Sequence, residues 1–292
     1  MIYCVIVTYN GIKWIDRCLQ SIRQSSVPMS TIVIDNNSSD NTTAHIKAHY
    51  PEVVLLPQKT NKGFGQANNI GIEYAIEHQA SHVLLLNQDA AVGKDTISQL
   101  LQYDDGQHLL TPIHMNGDGS HIDDNFYQNT LLGLPPKEKT SMEVPYVNAA
   151  CWFMPVEIIR KVGGFNPLFY HYGEDNNYIH RIRFYHFGIR LVPDAIMYHD
   201  REKHGNEHLY QRGVLYRKLL LIQTDINLSR VQRWTKRHKT SIQELGRSMK
   251  RHYLAACIKD YITATYKLIT QCKAIQNSRT LEANTLGAWL MQ

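Results

Sequence analysis

Cysteine is scarce in this sequence, and its positions argue against a domain stabilised by disulfides or by a zinc ion. The 292 residues include five cysteines, an odd number with no CxxC spacing: Cys4, Cys18, Cys151, Cys257 and Cys272. Disulfide frameworks and zinc sites are built from paired cysteines at recurring spacings. We therefore expect buried or free thiols in a cytoplasmic protein.

Long apolar runs and several catalytic motifs are also missing. No stretch approaches the ~18–20 apolar residues that a bilayer-spanning helix needs. Met1 leads directly into the apolar residues 2–7 without a basic segment or a cleavage site, which predicts a first β-strand and not a signal peptide. Walker, HExxH and Gly-x-Ser-x-Gly motifs are absent, which argues against the enzyme classes that depend on them.

Negative charge is scarce in the last third of the chain. Residues 1–200 carry 14 Lys+Arg and 20 Asp+Glu, whereas residues 201–292 carry 17 and 6, so the net charges are −6 and +11. Such asymmetry predicts a partner with negative charge for the tail, either a membrane surface or nucleic acid. A solvated helical face is the alternative, and no nucleic-acid-binding motif accompanies the basic residues.

Apolar segments alternate with helical patterns over the first hundred residues. Strands are predicted at 2–7, 31–34, 53–56 and 83–86, with helices between them, which indicates an α/β fold with a mostly parallel, Rossmann-like sheet and flanking helices. Further strands are predicted at 144–154, 189–192 and 195–199. After residue 205 the pattern is helical, with an apolar stripe at Leu254, Ile258, Ile262, Tyr266 and Ile269. We expect a domain at 1–205 and a basic helical region at 206–292.

Polar residues follow three of the predicted parallel strands and form a candidate nucleotide pocket. Ligands of open α/β sheets bind beyond the carboxyl ends of the strands, where these clusters would meet. The clusters are Thr8, Tyr9 and Asn10, then Asp35 and Asn36, then Asn87, Gln88 and Asp89. We expect Thr8 and Tyr9 to contact a planar base, and Asp35 to accept a hydrogen bond from the base or a ribose hydroxyl.

A glycine-rich segment before the third helix is a second part of that pocket. Lys62 and Gly63 precede a helix N-terminus, where a cation and backbone N–H groups can approach phosphate. Asn68 stands where a dinucleotide motif would have its third glycine, so that reading is poor. A solvated Lys62 in a simple turn stays open as the alternative.

Two further groups of residues suggest a cation site and a base. Asp89, at the end of a buried strand, suits Mg²⁺ or Mn²⁺ bound together with a diphosphate, and His199 is either a further ligand or a core histidine. Glu174 and Asp175 are adjacent carboxylates at a predicted helix start, which favours the ionised form that a general base needs. Simple helix capping is the alternative. Trp152 offers a flat platform for a sugar ring, unless it belongs to the core.

In this order, these residues resemble the family 2 glycosyltransferases with the GT-A fold. The likeness covers residues 2 to about 200 and includes Thr8-Tyr9-Asn10, the segments 33–40 and 61–71, Gly163-Gly164-Phe165 and Glu174-Asp175. Members with a similar pattern include rhamnosyltransferase-like enzymes of bacterial surface polysaccharide assembly. The resemblance implies that residues 1–205 form a GT-A domain.

The resemblance also implies roles for single residues. Asp35 would bind the donor, with Thr8, Tyr9, Asn10, Asn36, Lys62, Gly63, Asn87 and Gln88 around it. Asp89 would be the remaining carboxylate of a DxD metal motif, with His199 as a further ligand, and Asn87 replaces the first Asp of that motif. Asp175 would be the catalytic base, with Trp152 and Glu174 on the acceptor side.

The implied activity is the inverting transfer of a hexosyl or deoxyhexosyl group from a UDP-, dTDP- or GDP-sugar to a hydroxyl of a carbohydrate or lipid-linked acceptor. A catalytically inactive nucleotide-sugar-binding or scaffold protein is the competing reading, because Asn87 weakens the metal motif. The basic tail would attach to the inner face of an anionic membrane, pack on the catalytic domain, or join a second copy in a homo-oligomer.

Overall fold

The first hundred residues fold as alternating strands and helices, as the sequence predicts. The computed structural model describes residues 1–132, 141–201, 213–249 and 254–290. Its first elements are β1 (Ile2–Thr8), α1 (Ile15–Arg23), β2 (Ser30–Asp35), α2 (Thr42–His49), β3 (Val54–Pro57), α3 (Phe64–Glu77) and β4 (His82–Asn87). β1 pairs in parallel with both β2 and β4, and β2 pairs in parallel with β3.

The second half of the sheet is mixed in direction. It contains β5 (Ala90–Val92), β6 (His108–Asn116), β7 (Met142–Glu143), β8 (Cys151–Pro155) and β9 (Gly188–His199). The strand order is β3-β2-β1-β4-β8-β6-β9-β5, with β7 on β9. β8 runs antiparallel to β4 and β6, whereas β6 and β9 are parallel. The predicted α/β class is confirmed. The parallel arrangement that the sequence pattern predicts is found in β1, β2, β3 and β4.

Two strand predictions differ from the structure. The strand predicted at 144–154 is limited to Cys151–Pro155, since Pro145 has no N–H to donate to a ladder. The two strands predicted at 189–192 and 195–199 are one strand, Gly188–His199. Its pairing with β6 shifts register between Pro112 and Ile113, and this irregularity lets the strand continue.

Helices cover both faces of the sheet because successive strand residues point to opposite sides. Tyr3 and Val5 join the core under α3, α6 (Val156–Val162) and α7 (Glu174–Phe184). Cys4 and Ile6 join the core under α1 and α4 (Thr96–Leu101). A short helical segment, α5 (Asp124–Phe126), follows β6 and continues as a π-turn. Among the described cysteines, the free thiols of Cys4, Cys18 and Cys151 are buried, as expected.

The described part of the C-terminal region contains four helices. They are α8 (Val214–Thr224), α9 (Arg230–Met249), α10 (Leu254–Thr270) and α11 (Cys272–Asn284). Leu219 of α8, Leu268 of α10 and Ile275 of α11 share a third apolar cluster with Phe169. The predicted boundary between residues 205 and 206 lies outside the described residues. Within the described ranges, no helix is long and apolar enough to cross a membrane.

The end of the chain returns to the first domain through a buried charge network. Nε of Arg181 in α7 lies 3.4 Å from Oε1 of Glu282 in α11, and both side chains are fully buried. Asn166 and the Trp289 indole also donate hydrogen bonds to Oε1 of Glu282, at 2.8 and 3.0 Å. The Arg181 guanidinium donates to the carbonyls of Val162 and Gly164 at 2.8 and 2.6 Å. Glu282 therefore links the C-terminal region to the loop between α6 and α7.

Gly163 is the point of closest approach between these two parts. Its φ of +89° lies in the left-handed region, and a Cβ there would lie 2.0 Å from the carbonyl oxygen of Ala288. Only glycine meets both conditions. The Gly-Gly-Phe segment, which the resemblance assigns to the acceptor half, is also where the C-terminal segment packs.

Candidate active site

Side chains at the ends of β1 and β4 are joined by hydrogen bonds. The Thr8 hydroxyl donates to Oε1 of Gln88 at 2.7 Å, and the Tyr9 N–H donates to the same oxygen at 2.9 Å. The Gln88 amide donates in turn to the Tyr9 carbonyl at 3.3 Å. Thr8 is fully buried, whereas 47% of Tyr9 is exposed. Gln88 and Thr8 thus fix the strand ends, and Tyr9 leaves an aromatic side chain exposed beside them.

The loops after β1 and β2 are joined in the same way. The Asn10 N–H donates to the Ser38 hydroxyl at 2.9 Å, and the Ser39 N–H donates to the Asn10 side chain at 2.8 Å. Asp35 is almost fully buried and accepts a weak hydrogen bond from the Ser38 N–H at 3.3 Å. The structure therefore brings the predicted donor residues of β1, β2 and β4 together at one edge of the sheet.

Asn36 holds the glycine-rich segment against this edge. Its side-chain oxygen accepts the Lys62 N–H at 2.8 Å, and its amide donates to the Asn61 side chain at 2.9 Å. Gly63 has a φ of +78°, and a Cβ there would lie 2.2 Å from the Tyr170 carbonyl oxygen. Asn36 thus shapes the loop, while Gly63 allows the α6–α7 loop to lie directly on it.

Asp89 and His199 lie next to each other at the junction of β5 and β9. Oδ1 of Asp89 is 3.3 Å from Nε2 of His199, and the Asp200 N–H donates to the Asp89 carbonyl at 2.8 Å. Burial by itself raises the pKa of the Asp89 carboxyl, but the hydrogen bond and charge of His199, with Arg201 nearby, bring that pKa below its ordinary value. The carboxylate is therefore ionised at neutral pH.

These residues fit a divalent cation that takes its remaining ligands from a diphosphate. Oδ1 of Asn87 is buried at the end of β4 and has no hydrogen-bond partner, so it is an orphaned oxygen beside the Asp89 segment. Among the described residues, no group of three or more His, Cys, Asp or Glu side chains has the arrangement of a metal site. Mg²⁺ and Mn²⁺ sites with one or two protein carboxylates and phosphate oxygens need no such group.

Asp175 lies in the first turn of α7, with its carboxylate partly exposed. The Tyr146 hydroxyl donates to Oδ2 of Asp175 at 2.6 Å, and the Asn176 N–H donates to Oδ1 at 2.7 Å. Burial, followed by the charge of Asp175, raises the pKa of Tyr146, so the phenol keeps its proton and remains a donor. Tyr146 was not expected as a site residue, because it falls within the strand predicted at 144–154.

Glu174 differs from its neighbour, because it is buried and lacks a full set of partners. Its Oε2 has no hydrogen-bond partner, and its Cβ lies 3.6 Å from the place where a Cβ on Gly65 would be. Burial and, second, the charge of Asp175 raise the pKa of Glu174 to about 8. The doublet therefore has one neutral member and one accessible member at neutral pH, and it adjoins the start of α3.

Glu174 makes the stability of the protein depend on pH. Between about pH 5 and pH 8 an unfolded Glu174 is ionised while the native carboxyl keeps its proton, so stability falls as pH rises through this range. We expect Glu174→Gln to remove this slope and to be more stable than wild type at pH 8, by on the order of 2–4 kcal/mol. Urea unfolding at several pH values measures it.

The matched control is Glu77→Gln, which changes an exposed carboxylate at the end of α3. It should keep the pH slope of the wild type. An unchanged slope in Glu174→Gln would mean that the buried carboxyl is ionised in the native protein.

The prediction for Trp152 is wrong. Its ring is fully buried on β8, with centroids 6.0 Å from Phe165 and 5.5 Å from Tyr178, so it cannot face a sugar. Exposed rings lie instead in the α6–α7 loop, where 58% of Tyr170 and 43% of Tyr172 are accessible. The sequence shows this aromatic-rich loop directly before the helix that carries Asp175, but no role was predicted for Tyr170 or Tyr172.

Comparison with known proteins identifies the family. Residues 3–163, more than half of the chain, match the model of glycosyl transferase family 2, and the chain belongs to this family. It is 28% identical over 123 residues to the dTDP-rhamnosyl transferase RfbF of Shigella flexneri, covering 41% of this chain and 40% of that relative. It is 24% identical over 240 residues to the N-acetylglucosaminyl-diphospho-decaprenol L-rhamnosyltransferase of Mycobacterium tuberculosis, covering 70% and 77%. The resemblance to rhamnosyltransferase-like members is confirmed.

Solved structures agree on the fold. S. aureus TarS in complex with UDP superposes with a TM-score of 0.61 at 15% identity, covering 98% of this chain and 90% of that one. Mannosyltransferase PcManGT from Pyrobaculum calidifontis, in complex with GDP-Man and Mn²⁺, gives 0.59 at 16% identity, covering 97% and 84%. At these identities the likeness shows the GT-A fold.

Proposed function

We propose that the chain transfers a sugar from a nucleotide-sugar donor to a hydroxyl acceptor, with Asp175 as the base. The observation that carries the proposal is the position of the acidic doublet. Glu174 approaches Gly65, and Tyr170 lies on Gly63, so the base-bearing helix starts beside the predicted donor loop. A partly exposed carboxylate at a helix N-terminus, next to a nucleotide pocket, suits an alcohol that attacks a sugar nucleotide.

The chemistry is a single displacement with inversion. Asp175 takes the proton of the acceptor hydroxyl while that oxygen bonds to the anomeric carbon, and the bond from that carbon to the diphosphate oxygen breaks. The hydrogen bonds from Tyr146 and Asn176 hold the carboxylate in one orientation, so less ordering is needed at the moment of reaction. A divalent cation held by Asp89 and His199 would stabilise the negative charge of the leaving diphosphate.

We propose a dTDP-linked deoxyhexose as the first donor to test, because both relatives described above are named as rhamnosyl transferases. Tyr9 and Asp35 would contact the base and ribose, and Lys62 the phosphates. The acceptor would be a carbohydrate, or one linked to a lipid diphosphate, in cytoplasmic assembly of bacterial surface polysaccharide. Release of the nucleoside diphosphate from a panel of UDP-, GDP- and dTDP-sugars, with and without acceptor, tests the function.

An inactive nucleotide-sugar-binding protein is the second candidate, favoured by the neutral Asn87 at the metal motif. The same panel separates the two proposals. If the protein binds a sugar nucleotide but neither hydrolyses it nor transfers the sugar to any acceptor tested, the inactive protein is favoured. Turnover of one donor would exclude it.

Asp89→Ala should abolish cation binding by the protein and lower kcat/KM by about a hundredfold or more, because the protein side chains that remain at the site are neutral. Electron paramagnetic resonance of Mn²⁺, with the nucleoside diphosphate present, measures the binding independently of turnover. Asp194→Ala is the matched control, since this exposed carboxylate lies on the same strand as His199. Unchanged Mn²⁺ affinity in Asp89→Ala would show that the cation binds elsewhere.

A further inference from the structure

The outer face of α10 is apolar, although it faces solvent. Its inner residues Tyr261, Ala264 and Leu268 pack on α8 and its neighbours. The apolar stripe that the sequence reveals lies on the other side of the helix. Its side chains are 48–67% exposed: Ile258, Ile262, Tyr266 and Ile269. A helix that packs only on α8 and its neighbours needs one apolar face, and the exposed stripe is a second one.

The neighbouring helix α9 has a similar outer face. Val231, Trp234 and Ile242 are 71%, 63% and 71% exposed, and their spacing places them on one side of the helix. Glu244 of the same helix pairs with Lys218 of α8 at 2.7 Å. α9 and α10 both pack on α8 and on each other. We call the outer residues of these two helices the apolar surface.

Basic residues accompany the apolar surface. α9 and α10 together carry eight Lys and Arg and two Asp and Glu, a net charge of +6. Lys236 and Lys239 of α9 are exposed. Clustered cations beside exposed aliphatic side chains are the arrangement of helices that lie on a lipid surface, where the apolar groups enter the acyl boundary and the cations contact phosphates. Trp234 and Tyr266 suit the headgroup region.

We propose that the apolar surface docks on an anionic lipid bilayer. A second copy of the chain fits less well, because a two-fold interface through this surface would bring together two helix pairs that each carry a net charge of +6. Nucleic acid also fits less well, because most of the apolar surface is isoleucine and valine, whose side chains offer no ring on which bases could stack. The proposal concerns attachment alone and is independent of which donor or acceptor the enzyme uses.

Flotation of the full chain with vesicles tests the proposal. Vesicles of phosphatidylcholine mixed with phosphatidylglycerol should carry the protein at low salt, and vesicles of phosphatidylcholine alone should carry much less. The double variant Ile262→Ser/Ile269→Ser should lower the partition coefficient about tenfold without any change of charge. Lys236→Gln/Lys239→Gln should lower it to a similar extent at low salt and have little effect at high salt.

Thr263→Ser/Thr270→Ser is the matched control, because both threonines are exposed on α10 away from the stripe. It should bind as wild type does, and circular dichroism should show all three variants folded. Absence of vesicle binding by the wild type would overturn the proposal, as would full binding by the isoleucine variant. A wild-type dimer that the isoleucine substitutions dissociate, without lipid binding, would identify the surface as an interface between copies.

Discussion

Asp175→Asn is expected to abolish sugar transfer, with kcat lower by about a thousandfold or more, while donor affinity stays within about twofold. Asparagine keeps the shape of the side chain: its oxygen can accept the Asn176 N–H and its amide can donate to the Tyr146 hydroxyl oxygen, so the local structure is preserved. What it loses is the ability to take a proton from the attacking hydroxyl. Initial rates with saturating donor and acceptor, together with calorimetric titration of the nucleoside diphosphate, separate the two quantities.

Glu157→Gln on α6 is the control for this experiment, because it removes one carboxylate that is 75% exposed. It should leave both the rate and the donor affinity unchanged. Transfer by Asp175→Asn at a near-normal rate would place the base elsewhere. Loss of donor affinity together with the rate would point to a disturbed fold, which thermal unfolding of the variant detects.

Glu282→Ala is expected to have the largest effect on stability, lowering the free energy of unfolding by about 3–5 kcal/mol. The substitution leaves Arg181 fully buried without its counter-charge, and it also removes the acceptor of the Asn166 and Trp289 hydrogen bonds. The carbonyls of Val162 and Gly164 offset part of that loss, because they still accept from the guanidinium. Urea denaturation at fixed pH measures the change.

Glu52→Ala provides the contrast, because Glu52 and Arg23 form an ion pair in which the side chains are 50% and 46% exposed. Its loss should cost roughly 1 kcal/mol or less. Equal effects of the two substitutions would mean that water or other groups compensate the charge of Arg181 when Glu282 is removed. A double variant, Arg181→Met/Glu282→Leu, should recover much of the stability, since it leaves no buried charge unpaired.

The parallel half of the sheet and the donor edge could be predicted because their signals are local. Strand, turn and helix follow each other within about thirty residues, and the carboxyl ends of parallel strands meet at one edge. The position of Asp175 at the start of α7 was predicted for the same reason. The antiparallel pairing of β8 with β4 was not predicted, because those strands lie far apart in the sequence and no local pattern specifies which strand is the partner.

Three residues show where the sequence is ambiguous. Trp152 was assigned to the acceptor side with the core as the alternative, because strand periodicity does not reveal which face of a doubly covered sheet is filled by core aromatics. The helical period identified the stripe containing Ile262, but it could not tell that the small Ala264 marks the face that packs inward. Pairing between distant charges has no local signature at all.

The link between Arg181 and Glu282 has a consequence for biosynthesis. About a hundred codons separate the two residues, so at roughly 5–20 residues per second the guanidinium waits on the order of 5–20 s for its carboxylate. During translation α7 emerges from the ribosome long before the segment that completes its surroundings. A nascent chain stalled between these points would hold the parallel part of the sheet complete and the surroundings of Arg181 incomplete, a natural target for chaperones.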